Sequence, residues 1–285
     1  MSETTPQQDS PFVTGDDMFS RFAAGQRMTV LDSHWAKTEN SAWEAYVGQH
    51  IPGAMFCNPL VHLADLPTRQ RGRNPLPNVD DLQRSFRDWG FSEDRPIFIY
   101  DAGPNIYAAR AWWVIRWAGL NNVHILNGGT PAWEAAGGDV AGGIGALRGR
   151  GDAEVKPGNM PELFIDDVED WVSDHLLIDA REEGRHQGVK ESFDHQAGHI
   201  PGSLNIPVTR LADSNGKILA PEQLRAMFKT EGITEGSNVA VYSGSGLHSS
   251  LFIAALEHAG LTGARHFVGG WSQWAADSSR PIERG

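Results

Sequence analysis

From Ser243 to His248 the chain reads Ser-Gly-Ser-Gly-Leu-His, with two hydroxyls, two glycines and an imidazole in six residues. Val239 to Tyr242 ahead of it forms a strand-like apolar run, and a helical pattern begins at Ser249 and runs through Leu256. A short glycine-rich loop between strand and helix aims several backbone N–H groups at one point. The helix end adds its positive pole, so the loop suits an anion or a thiolate. Gly244 and Gly246 would permit positive φ and a tight cradle. An ordinary strand–helix turn carries the same pattern, so the surroundings of the loop must decide its chemistry.

Ser243, Ser245 and His248 also raise the question of a serine hydrolase. The nucleophile-elbow pattern G-x-S-x-G is not met, because neither serine has a glycine two places before it. Cys57, the single cysteine, sits far from this loop and reads as a small buried hydrophobe.

The elements that position the loop come from a duplication. His50-Ile51-Pro52-Gly53 recurs as His199-Ile200-Pro201-Gly202. Ahead of each copy an apolar strand ends in an aspartate, Val30-Leu31-Asp32 and Leu177-Ile178-Asp179. A second strand follows each, Pro96 to Tyr100 and Val239 to Tyr242, and each half closes on Gly-Gly-x-x-x-Trp, at Gly128 to Trp133 and Gly269 to Trp274. Such long units indicate domain duplication rather than a solenoid. Strands alternate with helical stretches such as Ala108 to Trp117 and Leu251 to His258, so the expected fold class is α/β, two tandem doubly wound domains with parallel central sheets. The expected domains span 11–140 and 161–285, joined by a glycine-rich linker over 141–160 that includes Arg148 and Arg150.

Composition narrows the partners. The 285 residues are 40% hydrophobic and 21% charged, with a net charge of −12, which suits a soluble protein and disfavours nucleic acid or an anionic membrane as partner. No apolar run approaches the length of a membrane span, and the first ten residues read as a mobile tail without signal-peptide character. One cysteine excludes internal disulfides and a multi-cysteine zinc site, in keeping with a cytoplasmic location.

The duplicated markers and the loop resemble the rhodanese family of sulfurtransferases over nearly the whole chain. Tyr46 and Ala54 around the first H-I-P-G, and Ala264, Phe267, Gly269, Gly270, Trp271 and Trp274 near the end, fit the family pattern; Cys57, Val268 and Gln273 depart from it. In that family the first loop position is a cysteine that carries a persulfide, and C-G-S-G is the form of the mercaptopyruvate-type branch. Here that position is Ser243. The resemblance implies transfer of a sulfane sulfur from a small anionic donor, thiosulfate or 3-mercaptopyruvate, to a thiophilic acceptor such as cyanide or a thiol, with no cofactor and no metal.

It also implies that Gly244, Ser245, Gly246, Leu247 and His248 form the anion-binding loop. Arg185, in Asp179-Ala180-Arg181-Glu182-Glu183-Gly184-Arg185, resembles the family's substrate-binding arginine, and a guanidinium pairs well with a carboxylate or thiosulfonate. The alternative is an ion pair with Glu182 or Glu183. Mercaptopyruvate-type members often carry another arginine before the second H-I-P-G; here Lys190 would substitute. His50 becomes a possible cleft residue, whereas His199 reads as a structural turn histidine. The first half places Asp101 opposite Ser243, an acid that would repel anions, so that half is expected to be silent.

A serine hydroxyl stays protonated at neutral pH and is a poor nucleophile toward sulfur, so sulfur transfer should be lost while the cradle persists. Two explanations fit: an active enzyme whose cysteine has been replaced, or a natural relative that only binds small anions or a protein partner.

Overall fold

The structure is a computed structural model that describes residues 10–145 and 149–285. The expected tail therefore lies outside the described residues except for Ser10, as does Arg148 of the linker.

Among the described residues, nine strands form two sheets. In the first half these are β1 (Phe12–Val13), β2 (Thr29–Ser33), β3 (Ala54–Cys57), β4 (Ile97–Tyr100) and β5 (Val123–Leu126), in the order β1-β5-β4-β2-β3. The second half holds β6 (Leu176–Asp179), β7 (Leu204–Asn205), β8 (Val239–Tyr242) and β9 (Arg265–Phe267), in the order β7-β6-β8-β9. Every ladder is parallel. Apart from the added β1, the two orders are the same, as expected of a duplicated α/β unit.

Side chains alternate across each strand, and the two faces feed different cores. Ile97 and Ile99 of β4, with Val239 and Val241 of β8, enter one central core shared by both halves. Phe98 and Tyr100 face an outer core of the first half, and Ala240 and Tyr242 that of the second. In the central core the helices Ile106–Trp117 and Leu247–His258 pack together. Both are apolar nearly all round, as a helix buried on every side must be.

The stretch after Gly149 is tied down rather than loose: Gly151 donates to Arg87 O, Lys156 to Ala118 O and Asn159 to Trp117 O, before Leu163 joins the second half at His266 O. No helix among the described residues is long and apolar enough to cross a membrane.

Candidate active site

Each half builds the same frame around its loop. Tyr100 at the end of β4 donates to Asp32 (2.8 Å) and its hydroxyl accepts from Ile51 N (3.0 Å). Tyr242 at the end of β8 donates to Asp179 (2.9 Å) and accepts from Ile200 N (3.3 Å). The H-I-P-G turn is thereby pinned to the strand that feeds the loop. The Gly-Gly pairs close the other side. A Cβ on Gly129 would meet Asp101 O at 2.2 Å, and one on Gly270 would meet Ser243 O at 2.2 Å, so only glycine lets the closing segment approach.

The second loop is shorter than its sequence suggests. The helix starts at Leu247 rather than Ser249, with Gly246 as N-cap at φ 81°. Leu247 and His248 thus belong to its first turn. Gly246 adopts the positive φ that both glycines would permit, and Gly244 does not. At Gly244 the lack of a side chain serves a different purpose: a Cβ there would lie 2.9 Å from Arg73 Nη2 and 3.1 Å from Arg185 Nη1. Among the described residues, the amides of Gly244, Ser245 and Gly246 donate to no protein acceptor. Ser243 and Gly244 instead use their carbonyls, accepting from Trp271 N (2.8 Å) and Ser272 N (2.9 Å).

Ser243 is buried, with its Oγ 3.0 Å from Ser249 Oγ, which in turn lies 2.7 Å from His266 Nε2. Burial, and then the charge of Arg110, push the His266 imidazole well below its usual range, so it is neutral at pH 7. Arg110 rises from the helix Ile106–Trp117 beneath the loop, and a Cβ on Gly246 would lie 3.1 Å from its Nη1. Burial lowers this guanidinium to about 10, which leaves it charged at neutral pH. Its Nη2 bonds to Leu63 O and Asn74 O, while Nη1 and Nε have no partner. His248 is held below its ordinary range by burial and then by Arg185. The floor of the loop is electropositive without a titrating group of its own.

Two guanidiniums from different halves cover Gly244. Arg185 bonds to Glu191 (2.9 Å) and Asp194 (3.0 Å), not to the Glu182 or Glu183 that its sequence neighbourhood offered. Arg73 pairs with the other oxygen of Asp194, and both guanidiniums lie against the Phe193 ring, at 5.8 and 5.3 Å. The first half reaches this place through 70–74: Arg73 N donates to Ser272 Oγ (3.0 Å), and Asn74 Nδ2 donates to Ser245 O and Oγ (3.2 and 2.9 Å).

Other singled-out residues lie elsewhere. Lys190 is exposed and pairs with Glu182 at 3.5 Å, and no bond joins it to the loop. His50 is buried, stacked on Tyr46 with Nδ1 2.9 Å from Tyr46 O. His199 has the same role, with Nδ1 2.8 Å from His186 O. Arg181 is fully buried on Asp179; burial opposes that carboxylate, but the arginine holds it well below the usual range. Cys57 is buried and its thiol is raised by burial. Sequence reasoning missed Arg73, Asn74, Asp194, Ser249 and His266, which are distant in the chain or silent by type. Arg110 did leave a signal, as a lone charge in a helical stretch rich in tryptophan.

The rhodanese-like domain family matches residues 24–136 and 163–277. The chain belongs to the rhodanese-like domain family. It is 36% identical over 286 residues to the putative thiosulfate sulfurtransferase SseB of Mycobacterium tuberculosis, covering 96% of each chain. It is also 36% identical over 269 residues to a probable 3-mercaptopyruvate sulfurtransferase of Pseudomonas aeruginosa, covering 90% of this chain and 93% of that one. The solved structure of SseA from Escherichia coli, described as a 3-mercaptopyruvate sulfotransferase of rhodanese fold, superposes with a TM-score of 0.80 at 26% identity, over 93% of this chain and all of that one. The tandem architecture read from the sequence matches that of the SseA structure.

Proposed function

We propose that this protein has the donor site of a thiosulfate/3-mercaptopyruvate-type sulfurtransferase, that it binds a small anionic sulfur donor at 243–248, and that with Ser243 it does not turn the donor over. The observation that carries this reading is the set of amides at Gly244, Ser245 and Gly246 that have no protein acceptor among the described residues, with the guanidiniums of Arg73 and Arg185 within reach of Gly244. These donors suit the oxygens of thiosulfate or of a carboxylate, and no protein acceptor competes for the amides.

With cysteine at 243, the thiolate would attack the outer sulfur of thiosulfate, releasing sulfite, or the sulfur of 3-mercaptopyruvate, releasing pyruvate as its enolate takes up the thiol proton, and would hold a persulfide until a cyanide or thiol acceptor took the outer sulfur. Arg110 beneath the loop and the helix end would favour the thiolate over the thiol. The hydroxyl of Ser243 cannot do this, since its proton has only the Ser249–His266 chain to follow and the buried His266 beside Arg110 is a weak base. Sulfur transfer is thus absent and anion binding remains.

Ser243→Cys tests the reading. The cysteine form should release thiocyanate from cyanide with thiosulfate or 3-mercaptopyruvate as donor, and should gain the mass of one sulfur on donor treatment. Neither activity nor mass gain in a folded cysteine form would sink the proposal.

A further inference from the structure

We infer that Arg73, contributed by the first half, is a donor-binding and specificity-determining residue that forms with Arg185 a two-guanidinium clamp above Gly244, built for a divalent oxyanion such as thiosulfate rather than a monocarboxylate. The inference rests on the proposed donor site and names the charge class it accepts.

Three observations point this way. The two guanidiniums converge on one Cα, at 2.9 and 3.1 Å from where a Gly244 Cβ would stand, so the empty side-chain position is the place both can reach. They come from different halves of the chain, and two like charges would not share that place without an anion between them. In the structure that anion is Asp194, one oxygen on Arg73 and the other on Arg185.

The two acids of the cluster are not equivalent. Glu191 is anchored: its Oε1 accepts from the amides of Ser192, Phe193 and Asp194, at 2.9, 2.9 and 3.2 Å, in addition to Arg185. Among the described residues, the Asp194 carboxylate bonds only to the two arginines. A donor with two negative charges can take its place while Glu191 stays bonded to Arg185. A monocarboxylate replaces one charge with one and gains little. Asp194 is thus the resident counter-ion, Glu191 the fixed one, and Arg73 supplies the second charge that a dianion rewards.

Calorimetric titration of the full chain with thiosulfate and with pyruvate tests this, on the parent, Arg73→Gln, Arg73→Lys and Asp194→Asn. Arg73→Gln should weaken thiosulfate about ten- to hundredfold, the range for a lost charged hydrogen bond. Pyruvate should change much less, and Arg73→Lys should recover part of the loss. Asp194→Asn should bind thiosulfate more tightly than the parent, which tests the clamp even if an Arg73 variant fails to fold. Thiosulfate affinity within twofold of the parent in a folded Arg73→Gln, equal losses for both ligands, or weaker binding in Asp194→Asn would each overturn the inference. A parent that binds neither ligand would overturn the donor-site reading and this inference with it, an outcome distinct from a parent that binds but ignores Arg73.

Discussion

The Asp101 carboxylate and the Ser243 hydroxyl stand at the same point of the two halves, one residue past Tyr100 and Tyr242, yet only Asp101 takes up the amides of its own loop. Its Oδ1 accepts from Gly103 N (2.9 Å) and Asn105 N (3.0 Å), and its Oδ2 from Tyr107 N (3.0 Å) and Ala108 N (3.2 Å). The first-half loop is an anion site with its anion built in. Among the described residues no acceptor takes up the amides at 244–246 of the second, and two guanidiniums lie over Gly244. One strand–loop–helix device has been closed in one half and left open in the other. The first half contributes instead through Arg73, Asn74 and Arg110, which wall and charge the open loop.

Gly244→Ala should abolish most anion binding and leave the fold intact. The backbone at Gly244 is not in the left-handed region, and the new methyl meets only the ends of two flexible arginines. Displacing those guanidiniums should cost about 1.5–3 kcal/mol of binding, or ten- to hundredfold. Gly246→Val should instead destabilise the protein itself. There φ is 81° and a Cβ would lie 2.9 Å from Val268 O, so the cost should exceed about 1 kcal/mol. Melting curves with and without sulfate separate the two: a sulfate-dependent rise in Gly244→Ala equal to the parent's would place the anion elsewhere.

Arg181→Met should be among the most damaging single changes, because Arg181 is fully buried on Asp179. It leaves the fully buried Asp179 charged and short of its main partner, a loss of about 3–5 kcal/mol. Asp179→Asn together with Arg181→Met should recover much of this, since an amide can still accept from Tyr242. Urea midpoints of the single and double variants decide the matter; a double variant no better than the single would show that packing on Trp271, 4.6 Å from the guanidinium, dominates.

The equivalent acid in the first half behaves in the opposite way. Burial pushes Asp32 up to about 7; among the described residues no arginine pairs with it, Tyr100 donates to one oxygen and His34 Nδ1 lies 3.7 Å from the other. A folded-state value above the unfolded one means that the stabilisation is complete below the unfolded value near 4 and is lost as pH rises through about 7. The parent should therefore lose roughly 2–3 kcal/mol between pH 5 and pH 8 from this group. Asp32→Asn should flatten that loss and melt higher than the parent at pH 8. Parallel pH profiles for the two proteins would mean that Asp32 stays ionised throughout.

The duplication and the loop were legible because they are local. Two H-I-P-G turns, two Gly-Gly pairs and a glycine-rich turn each occupy a few adjacent residues, and their φ and close-approach needs restrict the residue types. The start of the helix was not legible, because Leu247 and His248 fit a loop as well as a first turn. Arg73 and Asp194 were hidden for a different reason. They pair with each other across 121 residues of chain, and nothing in a surface-type arginine or aspartate marks such a meeting. Lys190, the cation nearest before the second H-I-P-G, pairs with Glu182 at the surface.

Asp101→Ala should convert the closed loop into an open one. The change removes a carboxylate that satisfies four amides and leaves those donors around a buried void of carboxylate size. Each buried donor left without a partner costs about 1–3 kcal/mol, so the variant should lose several kcal/mol unless water enters. A small anion should then restore what the mutation removed. Formate fits the void and offers the same two oxygens, and its binding to the folded form alone raises stability by RT ln(1 + [L]/Kd). The parent also gains from formate, through the 243–248 loop, so the decisive quantity is the slope of melting temperature against the logarithm of formate concentration. That slope should be steeper in Asp101→Ala, which has two open loops, than in the parent, which has one. In Asp101→Ala combined with Gly244→Ala it should fall back toward the parent value. Identical slopes in parent and Asp101→Ala would mean that the amides of 103–108 hold no anion without their own aspartate, and the loop geometry alone would no longer account for the anion site in the second half.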